Sequence, residues 1–171
     1  MAELIEFGRV PRDRPTEDYP QQIYTLSLPE LADGADVGTA KPVMWQFLMS
    51  SASGVALAAD VAHPPKGKRP RLTSVMQGPA VAKAIKAIEH VERLPQVQAR
   101  DYELRRLFIA GLSIRAFWLK SVKGDRDLVV PFHAAAKEFQ RMKTYPKGKF
   151  MTIVRRLAKA RLKFDDRPKR T

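Results

Sequence analysis

The chain has 171 residues, 44% of them hydrophobic, which suits one domain with a real core and is too short for two domains of ordinary size. It carries 31 Lys plus Arg against 18 Asp plus Glu, a formal net charge of +13, and a field of that sign favours polyanionic partners. There is no Cys, which excludes disulfides, thiolate nucleophiles and Cys-ligated zinc.

Taken in chain order, Met1 to Glu6 is acidic and lacks the basic start and long apolar run of a secretory signal. Residues 8–22 contain Pro11, Pro15 and Pro20 among alternating charges, so 1–22 reads as an irregular arm. Ile23 to Leu28 alternates as a strand that Pro29 ends, and residues 30–41 read as a loop with Gly34 and Gly38. Val43 to Met49 and Val55 to Val61 are strand-like, and Ser50 to Gly54 supplies the turn of a hairpin. Residues 42–59 are uncharged but carry Gln46, several Ser and Gly54, which fits a hairpin better than a membrane span. No integral membrane association is expected, and the cytoplasm is the expected location.

His63 to Arg71 is a basic loop interrupted by Pro64, Pro65 and Pro70. Ser74 and Gln77 have capping-box spacing, so a helix is expected to start between Ser74 and Pro79 and to reach Arg93. Its apolar stripe is Val81, Ile85, Ile88 and Val91, the pattern of a helix that covers a sheet. Tyr102 to Ile109 and Leu112 to Lys120 are rich in strand formers, with Ala110-Gly111 as a turn or bulge. Lys123 to Asp125 reads as a turn and Leu128 to Val130 as a short strand closed by Pro131. His133 to Lys143 reads as a helix, Thr144 to Gly148 as a break, Phe150 to Phe164 as a second helix, and 165–171 as a charged tail.

This order predicts an α+β domain: a two-layer antiparallel sheet of four to six strands, hairpin plus meander, packed against a helix. Residues 23–132 form the core domain and 133–171 a basic helical extension. A tighter curl would give a half-open barrel around the helix, a geometry that often leaves a pocket.

Catalytic patterns are missing. His63, His90 and His133 are not at ligand spacing, and no GxSxG nucleophile turn is present. Asp125 and Asp127 flank a turn, and Asp101, Glu103 and Arg105 alternate into a strand; a solvated turn and a salt-bridged sheet surface explain them without a metal. Trp45 and Trp118 fit core or interface positions. Neither a catalytic residue set nor a cofactor or metal site is identified, and a non-catalytic protein is the expectation.

The charge is unevenly placed. Residues 1–60 carry a net −5 and residues 61–171 a net +18, of which 132–171 holds +10. Two clusters stand out: Lys66, Lys68, Arg69 and Arg71 in the loop, and Arg155, Arg156, Lys159, Arg161 and Lys163 on the last helix, with Arg167, Lys169 and Arg170 behind. Such residues suit sequence-independent contact with a nucleic-acid backbone, or with an acidic protein surface. The alternative is a protein-interaction or structural subunit of a larger assembly, docking through Phe150, Ile153, Leu157 and Phe164 of the same amphipathic helix. The polyanion reading requires the cations after residue 60 to gather on one surface.

Overall fold

The computed structural model describes residues 15–51, 53–63, 68–124 and 126–165, with backbone alone at 15–18 and 165. Its strands are β1 (Pro15–Thr25), β2 (Lys41–Ser51), β3 (Ala56–Ala62), β4 (Arg71–Gln77), β5 (Tyr102–Ile109), β6 (Ile114–Ser121), β7 (Leu128–Ala134) and β8 (Tyr145–Pro146). Its helices are α1 (Leu28–Ala32), α2 (Pro79–Glu92), α3 (Pro95–Gln98) and α4 (Lys147–Asp165). All eight strands form one sheet in the order β4-β3-β2-β1-β5-β6-β7-β8.

The sheet is two antiparallel meanders set side by side. Every neighbouring pair is antiparallel except β1 and β5, which run parallel through Gln22–Thr25 and Arg105–Phe108. Helix α2 makes the crossing that this parallel pair requires. Its 14 residues carry the chain from the edge strand β4 back to the middle of the sheet. The α+β character expected from sequence is present, with eight strands where four to six were expected.

Side-chain alternation along the strands explains why helices cover both faces. In β6, Phe117 and Leu119 point to the α2 side, where they join Leu48, Ala58, Val130 and the α2 stripe Val81, Ile85, Ile88 and Val91. Ile114, Ala116 and Trp118 point the other way, into a core with Leu31 of α1 and Phe150, Met151, Val154 and Ala158 of α4. The second face of β6 looks mixed in the sequence because Arg115 shares it with Phe117 and Leu119.

Several local expectations give way to longer-range pairing. The supposed irregular arm becomes β1 from Pro15 onward. Pro20 is tolerated because β5 pairs only from Gln22, so β1 is an open edge at that point. Ser74 caps no helix: Arg71–Gln77 pairs with β3, and the Ser74 hydroxyl donates to Asp60 Oδ2 at 2.7 Å. The capping box is at Ser27 and Glu30, so α1 takes the end of the expected strand at Leu28 and the start of the expected loop. Gly78 turns the chain from β4 into α2 with φ +115, a value side-chain-bearing residues rarely adopt. The helix expected at 133–143 does not form, because β7 continues through Pro131 to Ala134. Helix α4 starts at Lys147 and is a layer of the main core rather than a separate extension. Among the described residues, no helix is long and apolar enough to cross a membrane.

Candidate functional site

Two of the acidic groups flagged in the sequence, Glu103 and Asp127, are committed to the fold. Asp127 is buried; its Oδ2 accepts from Trp118 Nε1 at 3.0 Å and its Oδ1 from the Ser121 amide at 3.0 Å. Lys120 adds an ion pair at 3.5 Å. Arg105 binds Glu103 through two parallel contacts of 2.9 and 2.8 Å and lies over the rings of Tyr24 and Trp118. Asp125 lies outside the described residues. No group of three or more His, Asp or Glu among the described residues is arranged to hold a metal. Trp118 is a core residue, and Trp45, 37% exposed, stacks on Phe47 at the solvent side of the sheet.

Helix α4 determines the fate of the terminal cluster. Its first turns are pinned to the acidic segment after α1: Lys147 and Arg155 both reach Asp36, at 3.4 and 3.8 Å, and Arg155 Nε donates to the Ala35 carbonyl at 3.0 Å. Arg155 therefore tethers the helix. Arg156 pairs with Glu138 at 2.8 Å. A backbone hydrogen bond, with Arg156 second, holds the Glu138 carboxyl below its usual pKa. Lys159 and Lys163 are exposed.

The exposed stripe on α4 is Lys149, Thr152, Arg156, Lys159 and Lys163. At 100° per residue these positions fall within about 80° of one another, directly opposite Phe150, Val154 and Ala158. Lys149 was missed in the sequence because the break assigned to 144–148 placed it outside the helix. Its spacing of seven residues from Arg156 was the available signal.

Most of the docking face expected on this helix is spent on the chain's own core. Phe150 is fully buried, and Ile153 and Leu157 pack against the same core. Of that set only Phe164, 61% exposed, faces solvent. The helix was read correctly as amphipathic, but its apolar side completes this chain's own core.

The loop cluster lies elsewhere. Lys68, Arg69 and Arg71 are exposed beside the edge strand β4, whereas α4 packs over the β5–β7 end of the sheet. Lys66, Arg167, Lys169 and Arg170 lie outside the described residues. Lys83 and Lys86 occupy the exposed side of α2, on the sheet face opposite α4. Among the described residues the positive charge is thus divided among three places, so the single field that the sequence reading required is not met there, and the polyanion reading narrows to the α4 stripe alone.

A second feature lies on the α2 side. A cavity of about 990 Å³ opens between the sheet and the first turns of α2. In its wall Arg106 donates through Nη1 to Gln46 Oε1, while Gln46 Nε2 donates to Asp60 Oδ1 at 2.7 Å. Burial pulls the Arg106 pKa down to about 10, and the nearby positive charge of Arg115 adds to the effect. Neither arginine was singled out in the sequence, since each sits in an ordinary strand pattern. No family model, curated protein or solved structure significantly matches this chain.

Proposed function

We propose that this chain is a non-catalytic binding protein that contacts a polyanion, first of all a nucleic-acid backbone, through the outward face of α4. The observation that supports this reading is the stripe Lys149, Arg156, Lys159 and Lys163 on a rigid helix whose opposite side is anchored in the core. From Lys149 to Lys163 the stripe runs about 21 Å at 1.5 Å per residue. That length spans several phosphates of one strand, which lie about 3.4 Å apart along the axis. Three of the four side chains are lysines, long point charges, and no aromatic residue lies in the stripe to stack on bases, so contact is mainly to phosphate and sequence preference is weak. The Lys68, Arg69 and Arg71 cluster would add contacts only on a polymer long enough to reach the far end of the sheet.

Fluorescence anisotropy with a duplex oligonucleotide over a salt series tests this. Each phosphate neutralised contributes about −0.9 to the slope of log K against log salt, so four cations predict a slope of about −3.6. The triple variant Lys149→Gln, Lys159→Gln, Lys163→Gln should retain a slope of about −1 and the unfolding midpoint of the native chain. An unchanged slope in that variant, or native affinity that ignores salt, removes α4 as the site.

A further inference from the structure

The cavity under α2 is built differently from a packing defect. Its volume, about 990 Å³, lies at the upper end of the range of small-molecule pockets, about 300–1,000 Å³. Ala80, Val81 and Ala84 of α2 roof it, and the sheet supplies its floor. Among the described residues, the only charged ones that line it are Arg106 and Arg115.

These two arginines share one face of the sheet. In the β5–β6 ladder Arg106 pairs with Phe117 and Phe108 with Arg115, which sets the two guanidinium-bearing positions on a diagonal. Each guanidinium lies over a ring: Arg106 over Phe132 at 5.2 Å and Arg115 over Phe108 at 5.4 Å. Neither has a carboxylate partner among the described residues. The nearest carboxylate in this network, Asp60, spends Oδ1 on Gln46 and Oδ2 on Ser74, both at 2.7 Å. Arg106 meets the amide oxygen of Gln46 in place of a charge. Beside an apolar wall, two like charges whose nearest carboxylate among the described residues, Asp60, already bonds Gln46 and Ser74 form an anion site in which most guanidinium donors remain unspent.

The walls specify the rest of the ligand. Met44, Leu48, Met76 and Val81 are aliphatic or thioether side chains, and unbranched Met adapts to a flexible partner. Phe108 is the only aromatic residue in the lining, and its ring already lies under Arg115. Aliphatic and thioether side chains outnumber this one ring in the lining, which favours a hydrocarbon chain over a planar ring system. We propose that this cavity binds a single-chain amphiphile with a carboxylate head, of the fatty-acid class. Its head lies between Arg106 and Arg115 and its chain runs along Met44, Leu48, Met76 and Val81. The site shares no residue with the α4 stripe and stands or falls independently of it.

Titration calorimetry with dodecanoate, dodecanol and dodecyltrimethylammonium on the full chain tests the proposal. Dodecanoate should bind at least about 10-fold more tightly than the other two, a difference of about 1.4 kcal/mol. Arg115→Gln should weaken dodecanoate about 10-fold and leave dodecanol unchanged, with native circular dichroism. Ala84→Phe, which fills the roof, should weaken both. Lys159→Gln with Lys163→Gln should change neither. Equal binding of the three probes, no binding of dodecanoate, or indifference to Arg115→Gln would overturn the site. So would an equal loss in the α4 variant, which would mean general electrostatic adsorption.

Discussion

The two sides of the sheet handle polar groups in opposite ways. On the α1/α4 side, charged groups at the core are matched: Asp127 holds Trp118 and the Ser121 amide, and Arg105 is clamped by Glu103 between two rings. On the α2 side, Arg106 faces an amide, and the side-chain amide of Gln21, 1% exposed, has no hydrogen-bond partner among the described residues. One side is a finished core. The other has its own buried core around Ile88, Val91, Phe117 and Val130, and beside it keeps open volume and unspent donors at a cost in stability.

The largest test of this contrast uses one substitution on both sides. Leu31→Ala in the packed core should cost about 4–5 kcal/mol, whereas Leu48→Ala, which borders space already open, should cost about 2–3 kcal/mol. Urea midpoints read both; an equal or greater loss at Leu48 would break the comparison. Next in size is Gly111→Ala, where an added Cβ would sit 2.5 Å from Leu28 Cγ and drive α1 off the sheet. A loss of about 1–3 kcal/mol is expected, and a neutral outcome would mean the α1 contact yields freely.

Gln21→Met sharpens the contrast from the other direction. Replacing an unpaired buried amide with an apolar side chain of similar size should raise stability by about 1 kcal/mol in chemical denaturation. A loss instead would show that Gln21 has a partner in solution. The smallest effect is on pH. The Ser27 amide, then its hydroxyl, hold the Glu30 carboxyl below its ordinary value of 4.5. A depressed folded pKa means this stabilisation is complete above about pH 4.5 and is lost as pH falls through the folded value. Glu30→Gln should therefore show a shallower acid limb in a series of urea midpoints; an identical limb would assign the acid sensitivity to other carboxylates.

Legibility in the sequence followed the range of the interactions. Helix α2, the β5–β6 hairpin and the hairpin at Ser51–Val55 were readable because period and turn chemistry lie within a few residues. β4 was not readable: Arg71–Gln77 is held by β3, and its Ser74 mimics a cap only until Asp60 is beside it. The stretch 133–143 carries helix-favouring residues, but β6 captures its start as strand. At the site level, the amphipathic pattern of α4 located its cations but could not say that Asp36 would claim Arg155 or that Phe150 would be sealed in the core. The cavity arginines were invisible because only the cross-strand diagonal brings them together.

The single parallel pair has a consequence for how the molecule assembles. Within each meander, successive strands meet after connections of at most 15 residues, but Gln22 meets Arg105 only after 82 residues of intervening chain have been brought into place. Contacts of such long sequence separation set the pace of folding, since the chain entropy is lost before the contact rewards it. The seam between β1 and β5 is therefore the expected slow step, and the two halves are expected to gather before they join. In pulse-labelling exchange, the amides of Gln22–Thr25 should gain protection after those of the β5–β6 hairpin; the reverse order would place the nucleus at the seam.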